Sequence, residues 1–422
     1  MKRGLTAGGG GSTCLNRARD GYRCGHDVPI DDLVHGHCDD RFHAVRDALA
    51  DAIAAGEETG AAIAIDIGGV LVADMWGGHA DAARTRAWDA DTIVNVFSST
   101  KTVTALAGLM LIDRGLITAD ARVADYWPEF AANGKQDIEF RHLLTHSSGL
   151  SGWDQPFTIE ESYDWEKSTA ALAAQAPWWE PGTASGYHAL THGHLIGEVV
   201  RRVTGKSLKD FVREEISEPL GADFQIGAGP GDAHRIADII PSDEPLDLPL
   251  DQLSEIALKT FMGTPSPAIA NSPAWRAADI GAANGHGNAR SLVRILSAIS
   301  LGGTVDGVQL LRPETVESIF ELQLDGPDVV LLGHPLRWGL GFGLPQTQTV
   351  SYVPDGKICF WGGWGGSWET CNPDHRATFA YVMNKMGPGV EGSARTARYL
   401  NLFYEALADE VDRRPAGRAA TG

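Results

Sequence analysis

The sequence predicts an α/β (α+β) protein: a sheet assembled from both ends of the chain, helices packed on it, and a mostly helical lobe inserted between the two halves. Three observations predict it. Strand-like runs come early, at 61–74, and late, at 358–361 and 378–383. From about 120 to 275 the chain is turn-rich and helical, with Trp and Pro scattered through it. Helices of apolar periodicity flank the strand runs at both ends.

Taken in order, residues 1–38 are rich in Gly, Arg, Asp and His with little periodicity, and are expected to form an N-terminal extension on the surface or partly disordered. Asp39 or Asp40 can cap a helix burying Phe42, Val45, Leu49 and Ile53. Ala61–Asp74 reads as two short strands around Gly68-Gly69, a hairpin signal. A second amphipathic helix carries Val103, Leu106, Leu109, Met110 and Ile112 and stops at Gly115. His194–Val203 is the clearest helix of the middle block and ends at Gly205. Helices are also expected over 288–301 and over 312–322, the latter opening at Pro313. A Gly-rich turn then separates the two late strands, and a terminal helix, roughly Ser393–Leu407, buries Ala397, Leu400, Phe403 and Leu407. The expected organisation is an extension (1–38), a sheet-containing lobe (39–125 with 276–412), a mostly helical lobe (126–275) and a tail (413–422).

A chain of 422 residues is long enough for a large core or for two lobes sharing a cleft. Its 43% hydrophobic and 21% charged residues are ordinary for a soluble globular protein, and no apolar stretch is long enough to span a bilayer. The formal net charge of −20 argues against a nucleic-acid partner, because phosphate binding needs clustered Lys and Arg. Five cysteines make no disulfide framework and no CxxC pair exists, which suits a reducing compartment. His26, His35 and His37 lie among Cys14, Cys24 and Cys38 at spacings that fit no zinc pattern, so no metal site is assigned. Met1-Lys2-Arg3 is followed by Gly8–Gly11 where a signal peptide needs an apolar run, so a cytoplasmic location is expected.

For chemistry, no Ser lies in a GxSxG elbow and there is no HExxH. Gly205-Lys206-Ser207 lacks the upstream Gly of a P-loop, with Val200 in its place. One constellation remains. Ser98-Ser99-Thr100-Lys101 is the only Ser-x-x-Lys in the chain, at the start of the second helix. Residues three apart share a helix face, so Lys101 can reach the Ser98 hydroxyl, and a desolvated lysine can act as its base. The alternative is an ordinary surface Ser and Lys. Tyr187 at a helix entry is either a packed core residue or a proton relay facing Ser98. Trp361-Gly362-Gly363-Trp364-Gly365-Gly366 is either a hairpin turn or a strand edge that lets something approach the backbone closely.

In this order Ser98-x-x-Lys101, Tyr187 after Pro181-Gly182-Thr183, and the late Gly-Gly strand resemble the superfamily of serine β-lactamases, D-Ala-D-Ala carboxypeptidases and related esterases. The chain is most similar to the β-lactamase-related, family VIII carboxylesterases. Supporting stretches are His142–Leu150 (HLLTHSSGL), Trp179-Glu180-Pro181-Gly182 and Ala380–Asn384 (AYVMN), and the similarity covers about 40–410. The resemblance implies a β-lactamase/transpeptidase-like fold: an antiparallel sheet flanked by helices, with the helical lobe forming one wall of the site. It implies Ser98 as nucleophile, Lys101 as base and Tyr187 as second acid/base, with an oxyanion hole from the backbone N–H groups of Ser98 and Trp364. Substrate would lie along Trp361, Gly362, Gly363 and Trp364, and no cofactor or metal is implied. Two departures matter. The family's Tyr-x-Asn is Tyr187-His188-Ala189 here, and Trp361 stands where β-lactamases and peptidases carry Lys or His before the glycine. Both shift the expected substrate from β-lactams and D-Ala peptides to small neutral esters, with Trp338, Trp361, Trp364 and Trp368 as candidate walls of an aromatic pocket. The expected activity is therefore that of a cofactor-free serine carboxylesterase acting through an acyl-Ser98 intermediate. Acyl transfer or amide/D-peptide hydrolysis on the same site is the alternative, and a non-catalytic ligand-binding or scaffold protein is the alternative of another class.

Overall fold

Two glycines in sequence, Gly68 and Gly69, take φ of +66° and +88°, a tight turn that strand twist favours and side chains resist. They join β2 (Gly60–Ile67) to β3 (Val70–Gly78), the hairpin the sequence predicts. The computed structural model describes residues 33–244, 253–261, 266–390 and 392–413. The main sheet is completed by β1 (Val34–Cys38), β4 (Leu324–Pro327), β5 (Pro335–Trp338), β6 (Gly343–Leu344), β7 (Cys359–Gly362), β8 (Trp368–Asn372) and β9 (Ala377–Met383). Its nine strands run in the order β1-β3-β2-β9-β8-β7-β6-β5-β4, every pair antiparallel. β2 pairs with β9, Ala61 opposite Met383 and Ile67 opposite Ala377, so the middle of the sheet joins the two ends of the chain.

The sheet exceeds the expectation: besides β2, β3, β7 and β9 it contains β4, β5 and β6 and two further strands. Val34–Cys38, read as part of the surface extension, is the edge strand paired with β3, and Val34 and Cys38 are fully buried. Where a turn was expected between the late strands, β8 intervenes. Its Glu369, Thr370 and Asn372 are buried, so the polar residues that hide the strand in the sequence do not face water.

Both faces of the sheet are covered. On one, α1 (His43–Ala55) packs with the terminal helix over Val45, Leu49, Phe360, Phe379, Tyr381 and Phe403. Asp39 accepts a hydrogen bond from the Arg41 N–H (3.0 Å) in the short turn that leads into α1. On the other lie α2 (Thr100–Asp113), α3 (Thr191–Thr204) and α4 (Ala289–Ser300), with α5 (Ala394–Arg413) closing the chain on the first face. Twelve of the fourteen residues of α2 are buried, so beyond the amphipathic pattern read in its sequence it is a helix enclosed on all sides. That enclosure includes Lys101. A second, small sheet of Phe224–Ile226, Gly285–Gly287, Ile93–Asn95 and Ile236–Ala237 delivers the chain to the start of α2. Within it the Gly285 carbonyl accepts from the Val96 N–H at 2.9 Å. Among the described residues no helix is long and apolar enough to cross a membrane.

Candidate active site

The chain leaves the small sheet through Val96 and turns sharply at Phe97, which holds φ of +45°, a region costly for a side-chain-bearing residue. Thr100 fastens the turn: its hydroxyl donates to the Phe97 carbonyl (2.5 Å) and accepts from the Gly285 N–H (2.8 Å). The result lifts Ser98 to the N-terminal end of α2, partly exposed. Lys101, one helical turn on, is 3% exposed. Its Nζ lies 3.2 Å from Ser98 Oγ and donates to the carbonyls of Ala189 and Ala282, each at 2.9 Å. No carboxylate among the described residues offsets the burial, which holds the ammonium well below its usual pKa.

Tyr187 comes from the segment before α3. Its hydroxyl donates to Ser98 Oγ at 2.6 Å, and Lys101 Nζ sits 4.7 Å from its ring centroid. Burial pushes its pKa up to about 12, opposed by the hydrogen bond to Ser98. The Tyr187 backbone is fixed from a distant loop. Fully buried Asp328 accepts from the N–H groups of Tyr187 (3.1 Å), Val330 (2.9 Å) and Leu331 (2.9 Å) through one carboxyl oxygen.

The Gly-rich run ends β7 and passes directly beside the nucleophile. A Cβ on Gly363 would come within 2.2 Å of Ser367 Oγ and of the Val96 carbonyl, and 3.3 Å from the Ser98 nitrogen. Only glycine allows that approach, and it sets the Gly363–Trp364 peptide next to the Ser98 N–H. Among the described residues neither the Ser98 nor the Trp364 N–H donates to a backbone carbonyl. A Cβ on Gly362 would strike the Trp368 ring at 2.5 Å.

The four tryptophans divide. Trp361 is partly buried against Tyr187 (centroids 5.5 Å apart) and Trp338 (4.6 Å). Trp364 is partly buried edge-on to Phe97 at 5.6 Å. Trp338 is 1% exposed and forms the backing of Trp361 rather than a free wall. Trp368 belongs to the other face of the sheet, stacked on Phe360 at 5.1 Å, because strand alternation turns it away from the site. It is not part of an aromatic pocket.

Three histidines close the floor behind Tyr187. The His146 ring lies 5.2 Å from Tyr187, 4.5 Å from Trp338 and 4.7 Å from His192, and its Nδ1 accepts from the His188 N–H at 3.0 Å. Burial holds all three imidazoles well below their usual pKa, so they pack as neutral rings. Neither this cluster nor Asp328 was marked in the sequence. His146 lies inside the HLLTHSSGL stretch and His188 follows Tyr187, so their positions carried a signal; Asp328 carried none. Among the described residues no group of three His, Cys, Asp or Glu side chains is arranged to hold a metal ion.

Comparison with known proteins bears on the family and the fold. Residues 45–402 match the beta-lactamase family. The chain is 36% identical over 370 residues to the esterase/beta-lactamase LipL of Mycobacterium tuberculosis, covering 84% of this chain and 83% of that one. A crystal structure of a family VIII carboxylesterase superposes with a TM-score of 0.83 at 39% identity, covering 88% of this chain and 99% of the other. A penicillin-binding protein homologue from Caulobacter crescentus superposes with 0.82 at 37%, with the same coverage. An α/β fold with a large antiparallel sheet, a buried Lys one turn after a Ser, and a match over most of the length lead to one conclusion: the chain belongs to the beta-lactamase family and is a serine hydrolase of that fold.

Proposed function

We propose that this protein is a carboxylesterase that cleaves small neutral esters through an acyl-Ser98 intermediate. The observation that carries the reading is the pair of contacts on Ser98 Oγ: Lys101 Nζ at 3.2 Å and the Tyr187 hydroxyl at 2.6 Å. A neutral lysine amine has two N–H donors and one lone pair. The Ala189 and Ala282 carbonyls take the donors, which leaves the lone pair for the Ser98 proton. As Ser98 Oγ attacks the ester carbonyl, Lys101 accepts its proton, and the oxyanion meets the N–H groups of Ser98 and Trp364 at the positive end of α2. Tyr187 passes a proton to the departing alkoxide as the C–O bond breaks, and Lys101 restores the phenol. Water then enters, gives up a proton along the same route, and releases the acid from Ser98.

The esterase named among the relatives and the family VIII carboxylesterase among the solved structures support the ester reading. So do the side chains at the cleft. Trp361 offers an indole face where a substrate carboxylate would need a cation, and Ala189 supplies no amide. The test is labelling with a fluorophosphonate followed by a p-nitrophenyl ester series. Wild type should label and turn over short esters, and Ser98→Ala should do neither while melting at a similar temperature. Label on Ser99, or turnover surviving in Ser98→Ala, would refute the assignment.

A further inference from the structure

Behind the nucleophile, on the sheet face turned toward α2, a carboxyl group sits where nothing in the ester chemistry uses it. Glu369 in β8 is opposite Trp361 on one side and Ala380 on the other, and is 1% exposed. Neither of its oxygens has a hydrogen-bond partner of full geometry. Among the described residues the Ser99 hydroxyl acts on it and no cationic side chain does; burial accordingly drives its pKa well above the carboxylate range.

Ser99 begins a chain of buried hydroxyls. Its Oγ donates to Ser367 Oγ at 3.1 Å, and Ser367 Oγ donates to the Val96 carbonyl at 2.9 Å. Each hydroxyl has one hydrogen, so each step is already spent in the direction of Val96. The Ser99 oxygen can then only accept at its other side, and what faces it must be a donor. A carboxylic acid satisfies this and a carboxylate does not. An ionised Glu369 would draw the Ser99 hydrogen to itself, turn the Ser367 hydrogen toward Ser99, and leave the Val96 carbonyl without it. The chain lies beneath both assigned oxyanion donors. Val96 is two residues before Ser98, and Gly363, next to Trp364, is packed within contact of Ser367 Oγ and the Val96 carbonyl.

We propose that Glu369 is a positioning residue, held as the neutral acid, that heads the hydrogen-bond chain Glu369–Ser99–Ser367–Val96 and through it fixes the Ser98 turn against the Gly363–Trp364 strand. This rests on the acyl-Ser98 reading above. Glu369 touches no reacting atom; it sets the spacing of the two N–H groups that meet the oxyanion.

The experiment compares Glu369→Leu, Glu369→Gln and Ser367→Ala with wild type for kcat, KM, fluorophosphonate labelling rate and melting temperature, and records infrared spectra of wild type and Glu369→Gln. Leucine removes the donor, and a displacement of the oxyanion donors should lower kcat and the labelling rate about 10–100-fold while KM stays within about twofold. Glutamine keeps an N–H donor to Ser99 and should recover most of that loss. The wild-type spectrum should contain a protonated-carboxyl band that Glu369→Gln lacks. A carboxylate band for Glu369, a glutamine variant as impaired as leucine, or a leucine variant labelled at the wild-type rate overturns the proposal. If Glu369→Leu fails to fold, Ser367→Ala breaks the chain one step on. It should show the same kcat loss, and wild-type kcat in it is equally fatal. Absence of label on wild-type Ser98 would refute the esterase reading instead, and the infrared band would still decide the charge of Glu369.

Discussion

Replacing Lys101 by arginine separates a base from a structural cation. A lysine of ordinary pKa 10.5 is neutral in only about 3 molecules in 10⁴ at pH 7. Burial without a carboxylate partner lowers that pKa. As it falls toward the working pH, the share of molecules with a free lone pair rises about tenfold per pH unit, until the neutral amine predominates. The sign follows directly. The base works deprotonated, so kcat/KM is lost as pH falls through the depressed Lys101 pKa and rises to a plateau above it. Tyr187, raised to about 12, stays protonated across that plateau. An arginine can still reach the Ala189 and Ala282 carbonyls but stays charged. Lys101→Arg should therefore lose about 10²–10⁴-fold in kcat/KM and lose the rising limb of the pH profile. The assay is p-nitrophenyl acetate hydrolysis from pH 6 to 10, with melting curves to establish that the variant folds. Activity within tenfold of wild type, or a wild-type limb centred near 10.5, would show that Lys101 is not the base.

The other predictions follow from the same contacts. Tyr187→Phe removes the 2.6 Å hydrogen bond to Ser98 and should lower kcat by about 10²-fold, less than Lys101→Arg; an equal or larger loss would make tyrosine the principal base. Asp328→Ala strips the acceptor from three backbone N–H groups and should cost about 3 kcal/mol or more in chemical denaturation, together with kcat; unchanged stability would mean that the loop re-forms without it. Nitrocefin should be opened far more slowly than p-nitrophenyl acetate is cleaved, because its carboxylate meets the Trp361 indole. Trp361→His should narrow that gap by cutting ester turnover, and equal wild-type rates on the two substrates would refute the side-chain argument.

What was legible in the sequence was local. Ser98 and Lys101 are three residues apart on one turn, so their meeting needs no knowledge of the fold. The hairpin at Gly68-Gly69 and the helix ending at Gly205 are likewise written in a few neighbouring residues. Tyr187 and the Gly363–Trp364 peptide reach Ser98 only through tertiary packing, and it was the resemblance to a known family that brought them together. Asp328 meets Tyr187 across 141 residues, and nothing near either residue announces the contact. Glu369 was hidden twice, by lying in a strand read as turn and by being a charged residue type in a buried position. The burial of α2 runs against its composition for a related reason: its Thr and Lys side chains are types that usually meet water, yet those of Thr100, Lys101, Thr102 and Thr104 donate to backbone carbonyls in the interior.

The pairing of β2 with β9 has a consequence for how the protein is made. Ala61 and Met383 are neighbours in the sheet but are synthesised far apart, so the ribosome has released the whole nucleophile helix long before the strands beneath it exist. During that interval the apolar surface of α2 and the unpaired edge of β2 have no partner, and such surfaces are prone to associate with one another. Closing so long a loop also slows folding once synthesis ends. A nascent chain halted before residue 383 should therefore carry Ser98, Lys101 and Tyr187 yet react with no fluorophosphonate, and should be held by chaperones until its last strand and helix are released.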